Sequence, residues 1–207
     1  MQKQEYIAGD YNEYSKYNCK KDKKFEGGKS KKEIELEYLK EHGLKLGEKV
    51  DIFTDYPFDS LYPGLITVGS NVTISSNVRI LAHDASMGYI TGGACKIGVV
   101  EIGNDVFIGH GAIILCNTKI GDNSIIGAGS VVSGTFPKGS VIAGNPAKVI
   151  KTTDEFKKQH LNDINDHPTF ERPWREWSEI KEDEWNEIRC KLKNQHGYII
   201  RNREVIK

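Results

Sequence analysis

From Ile102 to Val132 an aliphatic residue returns at every sixth position. The hexads read Ile-Gly-Asn-Asp-Val-Phe, Ile-Gly-His-Gly-Ala-Ile, Ile-Leu-Cys-Asn-Thr-Lys, Ile-Gly-Asp-Asn-Ser-Ile and Ile-Gly-Ala-Gly-Ser-Val, and Val132 opens the next. Glycine usually follows the aliphatic residue, and a small residue stands four places on. A period of six fits no α-helix and is too slow for the alternation of a strand, so it must mark a turn of structure that repeats. If three hexads, each turning a corner, close one triangular rung, their aliphatics stack inward as one column. The expected core is all-β, a parallel β-helix.

Hexads also begin at Ile66, Val72 and Val78, and Ile102 lies four whole hexads beyond Val78. Continuing that phase would turn Asp84, Ile90 and Lys96 inward. A charged side chain cannot enter an apolar core without a partner, so residues 84–100 are expected to leave the coil as a loop directly after His83. The loop's length and its glycines Gly88, Gly92 and Gly93 mark it as functional or mobile.

Charge separates the coil from its flanks. Residues 66–150 carry nine charged side chains in 85 positions, against 49 in the other 122. The core therefore belongs in the middle, with residues 1–54 a partly helical extension, 55–151 the coil domain and 152–207 a helical extension. Ser30, with Glu33 three places on, reads as a capping box for a short helix that Gly43 would end. The aromatic lead-in 51–65 would cover the open end of the coil, with Tyr56 and Asp59 available to line a cleft. In the tail, Trp174, Trp177, Ile180 or Lys181, Trp185, Ile188 and Leu192 share one broad helical face suited to packing.

Bulk properties exclude several functions. The 29 basic and 29 acidic residues cancel, so no overall field favours nucleic acid, and the run Lys20–Lys24 reads as a solvated loop. No apolar run approaches the ~20 residues of a membrane helix. Cys19, Cys95, Cys116 and Cys190 form no CxxC pair, and the N-terminus has no apolar signal region, which together point to reduced thiols and a cytoplasmic protein.

The repeats, followed by Ile126-Gly-Ala-Gly-Ser-Val-Val and Ala143-Gly-Asn-Pro-Ala-Lys-Val-Ile, resemble the hexapeptide-repeat acyltransferases over about residues 55–151. The branch is similar to maltose and galactoside acetyltransferases and polysaccharide O-acetyltransferases. The resemblance implies a left-handed coil, a homotrimer with active sites at subunit interfaces, acetyl-CoA as donor with no metal required, and a small saccharide or glycan acceptor.

Acetyl transfer from a thioester to a hydroxyl needs a base, and an imidazole titrates near the working pH. His83 matches the family's catalytic histidine and ends a hexad where the coil is interrupted. Asp84 would orient it only if a corner falls between them, with a substrate or turn role equally open. Phe107 matches a family aromatic near the catalytic ring. One rung of three hexads would align His110, Ala128 and Pro146 as a column on which a pantetheine arm can lie. By resemblance, His110, Ala128, Ser133, Gly134, Lys148 and Lys151 contact CoA. Gly134 stands where the sugar acetyltransferases carry lysine, and Lys148 and Lys151 stand in place of arginines, losing the bidentate fork on phosphate. An amino-sugar N-acetyltransferase and a non-catalytic trimeric scaffold are the alternatives. A metal reading of carbonic anhydrase type would need three converging histidines, and the coil has only His83 and His110.

Overall fold

The computed structural model describes residues 30–170 and 180–200. Two compact units divide it, Met1–Thr153 and Asp154–Lys207. The Lys20–Lys24 run, Cys19, Trp174 and Trp177 lie outside the described residues.

The first unit opens with α1 (Lys31–Glu41), closed at its N-terminus by the Ser30–Glu33 capping box and ended by His42 and Gly43. The strands β1 (Lys45–Leu46), β2 (Asp51–Ile52), β3 (Ile66–Val68), β4 (Thr73–Ile74) and β5 (Arg79–Ile80) follow. An inserted segment comes next, with β6 (His83–Asp84), a turn of helix α2 (Gly88–Thr91) and β7 (Lys96–Ile97). The coil resumes with β8 (Val100–Ile102), β9 (Phe107–Ile108), β10 (Ile113–Ile120), β11 (Ile125–Ile126) and β12 (Val131–Phe136). It ends in an antiparallel pair, β13 (Ser140–Gly144) and β14 (Ala147–Thr152).

Successive rungs pair in parallel and build three faces. One stacks β1, β3, β8 and the second halves of β10 and β12; the next stacks β2, β4, β9, β11 and β13. The third stacks β5 on the first halves of β10 and β12. Ile113 pairs with Val131 and Phe107 with Ile125, each partner three hexads along, the expected rung. Inside runs a column of Ile74, Ile108, Ile126 and Ile142, all fully buried. Small side chains fill the tighter inward positions, among them Ala112, Ser124 and Ser130. The Ser124 and Ser130 hydroxyls donate to the Gly121 and Gly127 carbonyls, which satisfies polar groups that would otherwise be buried unpaired. At the turns the chain enters the left-handed region at Asn71, Asp105 and Asn123, residues whose short polar side chains tolerate it. Asn71 Nδ2 donates to Asp105 Oδ1, tying neighbouring rungs together.

Between the first two full rungs the pairing skips further, from Ile66 to Val100 and from Arg79 to Ile113. The insertion therefore takes out a stretch just short of a whole rung and shifts the hexad phase by two positions. Val68, Ile74 and Ile80 stack on Ile102, Ile108 and Ile114, while Ile66 and Val72 take the tighter inward sites. The inserted segment is itself structured, because β6 pairs antiparallel with β7 and α2 lies between them. Asp84, Ile90 and Lys96 are exposed, as expected for residues that leave the coil.

A second irregularity lies on the same corner, further along the coil. The β10–β12 register shifts from Ile114↔Val132 to Thr118↔Gly134, so the last rung is slightly shorter than the others. Ile126 then stacks on Ile142 rather than on the residue three hexads along.

In the second unit, α3 (Thr153–Asp166), β15 (Thr169–Phe170), α4 (Glu182–Lys191) and β16 (Tyr198–Ile199) follow in order, with β15 and β16 parallel. On the expected apolar stripe Ile180 is buried before α4, and Trp185, Ile188 and Leu192 are half-buried. No described helix is long and apolar enough to cross a membrane.

Candidate active site

The lead-in that closes the coil also places a carboxylate. Phe58 bridges to Ile80, the Ile80 N–H donates to the Pro57 carbonyl, and the Asp59 N–H donates to the Ile80 carbonyl at 2.8 Å. This extra strand-like contact sets Asp59 beside the end of β5, only 4% exposed. Its Oδ1 accepts from the Leu61 N–H at 3.0 Å, and its Oδ2 accepts from the Ala82 N–H at 2.9 Å. Oδ2 also meets Nδ1 of His83, the first residue of the inserted hairpin. An Nδ1–H donated to Asp59 leaves Nε2 as the lone-pair nitrogen. The Tyr62 ring flanks His83, with centroids 5.4 Å apart and planes inclined by 54°.

Asp84 serves the turn instead. Its Oδ1 accepts from the Ser86 N–H at 2.9 Å. Hydrogen bonds from Ser86, with smaller help from Lys96 and His83, hold its carboxyl below the usual carboxylate range. Tyr56 adopts a left-handed conformation, φ 53°, in the lead-in. Phe107 lies on β9, 47% exposed between Thr73 and Ile125, and not on the corner from which His83 projects. Sequence reasoning missed Tyr62. Its only signal was its place three positions after Asp59 in the same aromatic lead-in.

The residues matched to CoA contacts fall on two corners. Ser76, His110 and Ala128 follow one another on the corner between the second and third faces. His110 Nδ1 and Ser76 Oγ share a 2.7 Å hydrogen bond, and the Gly129 N–H donates to the His110 carbonyl at 2.8 Å. The shortened last rung puts Gly144, not Pro146, above Ala128: Ile126 is paired with Ile142, and a Cβ on Gly127 would meet the Ala143 Cβ at 2.9 Å. Lys148 pairs with Ala143 across the terminal hairpin, next to this column, and Lys151 pairs with Val141. Gly109 explains the smoothness of this corner. A Cβ there would stand 2.6 Å from the Ala128 nitrogen.

Ser133 and Gly134 lie on the corner that carries the inserted hairpin two rungs below. Gly134 has φ 104°, a backbone conformation that disfavours a lysine at this position. A groove of about 200 Å³ opens near this corner, lined by Val99, Glu101, Asn117, Thr118, Lys119 and Thr135. The Glu101 and Lys119 side chains bridge within it at 2.8 Å. Within one chain, His83 and the His110–Ala128 column are on different corners.

Triangular rungs of this period define a class, and comparison with known proteins agrees. Residues 100–134 match the bacterial transferase hexapeptide (six repeats) family. Over 116 residues the chain is 34% identical to YvoF of Bacillus subtilis (strain 168), whose acetyltransferase name is provisional, covering 56% of this chain and 64% of that protein. It is 36% identical over 97 residues to the galactoside O-acetyltransferase of Escherichia coli (strain K12), covering 46% of this chain and 48% of that one. The crystal structure of a maltose O-acetyltransferase from Clostridium difficile 630 superposes with a TM-score of 0.50 at 28% identity, over 71% of this chain and 90% of that one. Over its coil the chain carries the hexapeptide repeat of that family and is similar to the galactoside and maltose O-acetyltransferases. It spans about half to two thirds of the length of the two curated relatives.

Proposed function

We propose that the protein transfers an acetyl group from acetyl-CoA directly to a hydroxyl of a sugar or polysaccharide precursor. The observation that carries this reading is the His83–Asp59 pair, a half-buried imidazole whose Nδ1 is held by a buried carboxylate where the coil opens. His83 Nε2 takes the acceptor's hydroxyl proton as its oxygen attacks the thioester carbonyl. The tetrahedral intermediate then collapses, the CoA sulfur departs, and the imidazolium returns the proton to it. Asp59 is a positioning residue, fixing the tautomer and stabilising the imidazolium while it exists. The names of the galactoside and maltose relatives support an acceptor hydroxyl on a saccharide.

We place the CoA arm along His110 and Ala128, with Lys148 and Lys151 beside its phosphates, and Ser133 and Gly134 at a second contact. These residues and His83 come from different corners of one chain, so the complete site is proposed to form in a homotrimer, between the donor column of one subunit and His83 of the next. Tyr89 and Ile90, 98% and 88% exposed on the hairpin, are the apolar side chains that such an interface would cover. The free thiols of Cys95 and Cys190 suit the reducing cytoplasm.

An amino-sugar nitrogen as acceptor is the second reading. Nitrogen as the acceptor atom, though not the sugar, is favoured by 42% identity over 86 residues to a 2,3,4,5-tetrahydropyridine-2,6-dicarboxylate N-acetyltransferase of Clostridium perfringens (strain SM101 / Type A), covering 38% of this chain and 36% of that one. Purified protein incubated with acetyl-CoA and a panel of sugars and amino sugars, read by free thiol, separates the two. Thiol release above the acceptor-free rate with a neutral sugar supports O-acetylation. Release with amino sugars alone supports the second reading, and release with no acceptor in the panel contradicts both.

A further inference from the structure

The C-terminal unit gathers a group of side chains that the acetyl-transfer chemistry does not use. One face of α3 presents His160, Asp163 and His167, at helical spacings of three and four. The segment leading into β16 brings His196, and the start of β16 brings Tyr198, against that face. Gly197 permits the approach, because a Cβ there would stand 2.7 Å from the Pro168 carbonyl oxygen and 2.8 Å from Leu192. The imidazoles of His167 and His196 stack, with centroids 4.1 Å apart and planes inclined by 20°. One nitrogen from each ring and one Asp163 carboxylate oxygen all lie within 4.8 Å of one another.

The geometry points to a zinc site formed by Asp163, His167 and His196. Two imidazole nitrogens and one carboxylate oxygen are a borderline donor set, suited to Zn²⁺ rather than Mg²⁺ or Ca²⁺. Three protein ligands leave a fourth tetrahedral position for water.

The surrounding hydrogen bonds are those that orient ligands of this kind. His167 Nδ1 lies 2.8 Å from the Asp163 backbone carbonyl, and the Tyr198 hydroxyl donates to Asp163 Oδ2 at 2.5 Å. Tyr198 and His196 thus both reach the Asp163 carboxylate, on the same oxygen. His196 Nε2 lies 2.5 Å from Asp163 Oδ2. Zinc takes the place of the shared proton in that pair, so binding releases the proton to solvent. The ion joins α3 to the C-terminal segment, and its role is to fasten this unit.

Full-length protein stripped with a chelator is titrated with Zn²⁺ at neutral pH by calorimetry, with a thermal melt at each end point. The expected result is one Zn²⁺ per chain, a raised Tm, and no comparable binding of Mg²⁺. His196→Ala and Asp163→Asn each weaken binding at least tenfold. Tyr198→Phe retains all three ligands and weakens it by about tenfold, the lower end of what loss of a ligand-orienting bond produces. His196 is exposed, so circular dichroism of His196→Ala should match the parent and separate metal loss from misfolding. Absence of stoichiometric binding overturns the proposal, as does binding unchanged in both His196→Ala and Asp163→Asn.

Discussion

Replacing Asp59 by asparagine tests how the site is built, because it preserves shape and removes one acceptor. The carboxylate takes three bonds: Leu61 N–H on Oδ1, Ala82 N–H and His83 Nδ1 on Oδ2. An asparagine has one acceptor oxygen and one amino group. With its oxygen toward Ala82, the amino group faces the Leu61 N–H, and a part-buried donor loses its partner. With its oxygen toward Leu61, the amino group faces Ala82 and donates to His83 Nδ1, forcing the ring proton onto Nε2 and removing the base. Either arrangement costs about 1–3 kcal/mol of stability. For a chain of this size, that corresponds to a fall in Tm of roughly 2–12 °C. The turnover number should fall by about 10²–10⁴, equivalent to roughly 3–5 kcal/mol of transition-state stabilisation. KM for acetyl-CoA should stay near its parent value, since Asp59 is not on the donor column. The assay is thiol release from acetyl-CoA at saturating acceptor, with the rate followed against pH. A folded Asp59→Asn protein that keeps more than half of the parent kcat, with an unchanged pH profile, would refute the positioning role.

Three further outcomes follow from other parts of the molecule. Ile126→Ala removes a fully buried side chain between Ile108 and Ile142 and should cost about 2–5 kcal/mol, seen as a lower urea midpoint with an unchanged slope. Lys148→Ala should raise KM for acetyl-CoA by about two- to fivefold, as for an exposed ionic contact, and leave kcat within twofold; an unchanged KM would remove Lys148 from the donor site. The Asp163 carboxylate pushes the Tyr198 phenol up to about 12. Its protonated form is thus favoured by folding, a stabilisation fully present below the unfolded value near 10 and lost as pH rises through about 12. Alkaline titration followed by phenolate absorbance should show a late-ionising component near 12 that Asp163→Asn moves to lower pH.

The coil was legible because its period is a packing requirement. Each inward aliphatic must meet another one rung away, so the spacing survives in the sequence whatever the turns contain. The Ser30–Glu33 cap was legible for a similar reason, being closed by neighbours in the chain. The two places where the coil departs from its period were not. An excursion of a whole rung and one slightly shorter both leave aliphatics inside, and only the Ile66↔Val100 pairing distinguishes them. Likewise, the shortening opposite Leu115–Asn117 shifts Pro146 off the column without disturbing any hexad before it. His83 stood out through its place at the interruption, whereas its partner did not. Asp59 precedes β3, β4 and β5 in the chain and reaches His83 through a bridge between Phe58 and Ile80 that no local pattern announces. The cluster at Asp163 depends in the same way on Gly197 letting a distant segment approach α3.

The central claim is that His83 accepts the proton during acetyl transfer, and His83→Ala tests it most directly. With purified protein, acetyl-CoA and an acceptor that supports turnover, thiol release by the variant should fall by about 10²-fold or more, the usual order for loss of a general base. The half-buried ring sits at the mouth of the hairpin and not in the aliphatic column, so the variant's melting curve should remain cooperative. Turnover within a few-fold of the parent, from a protein with that same melting curve, would contradict the assignment.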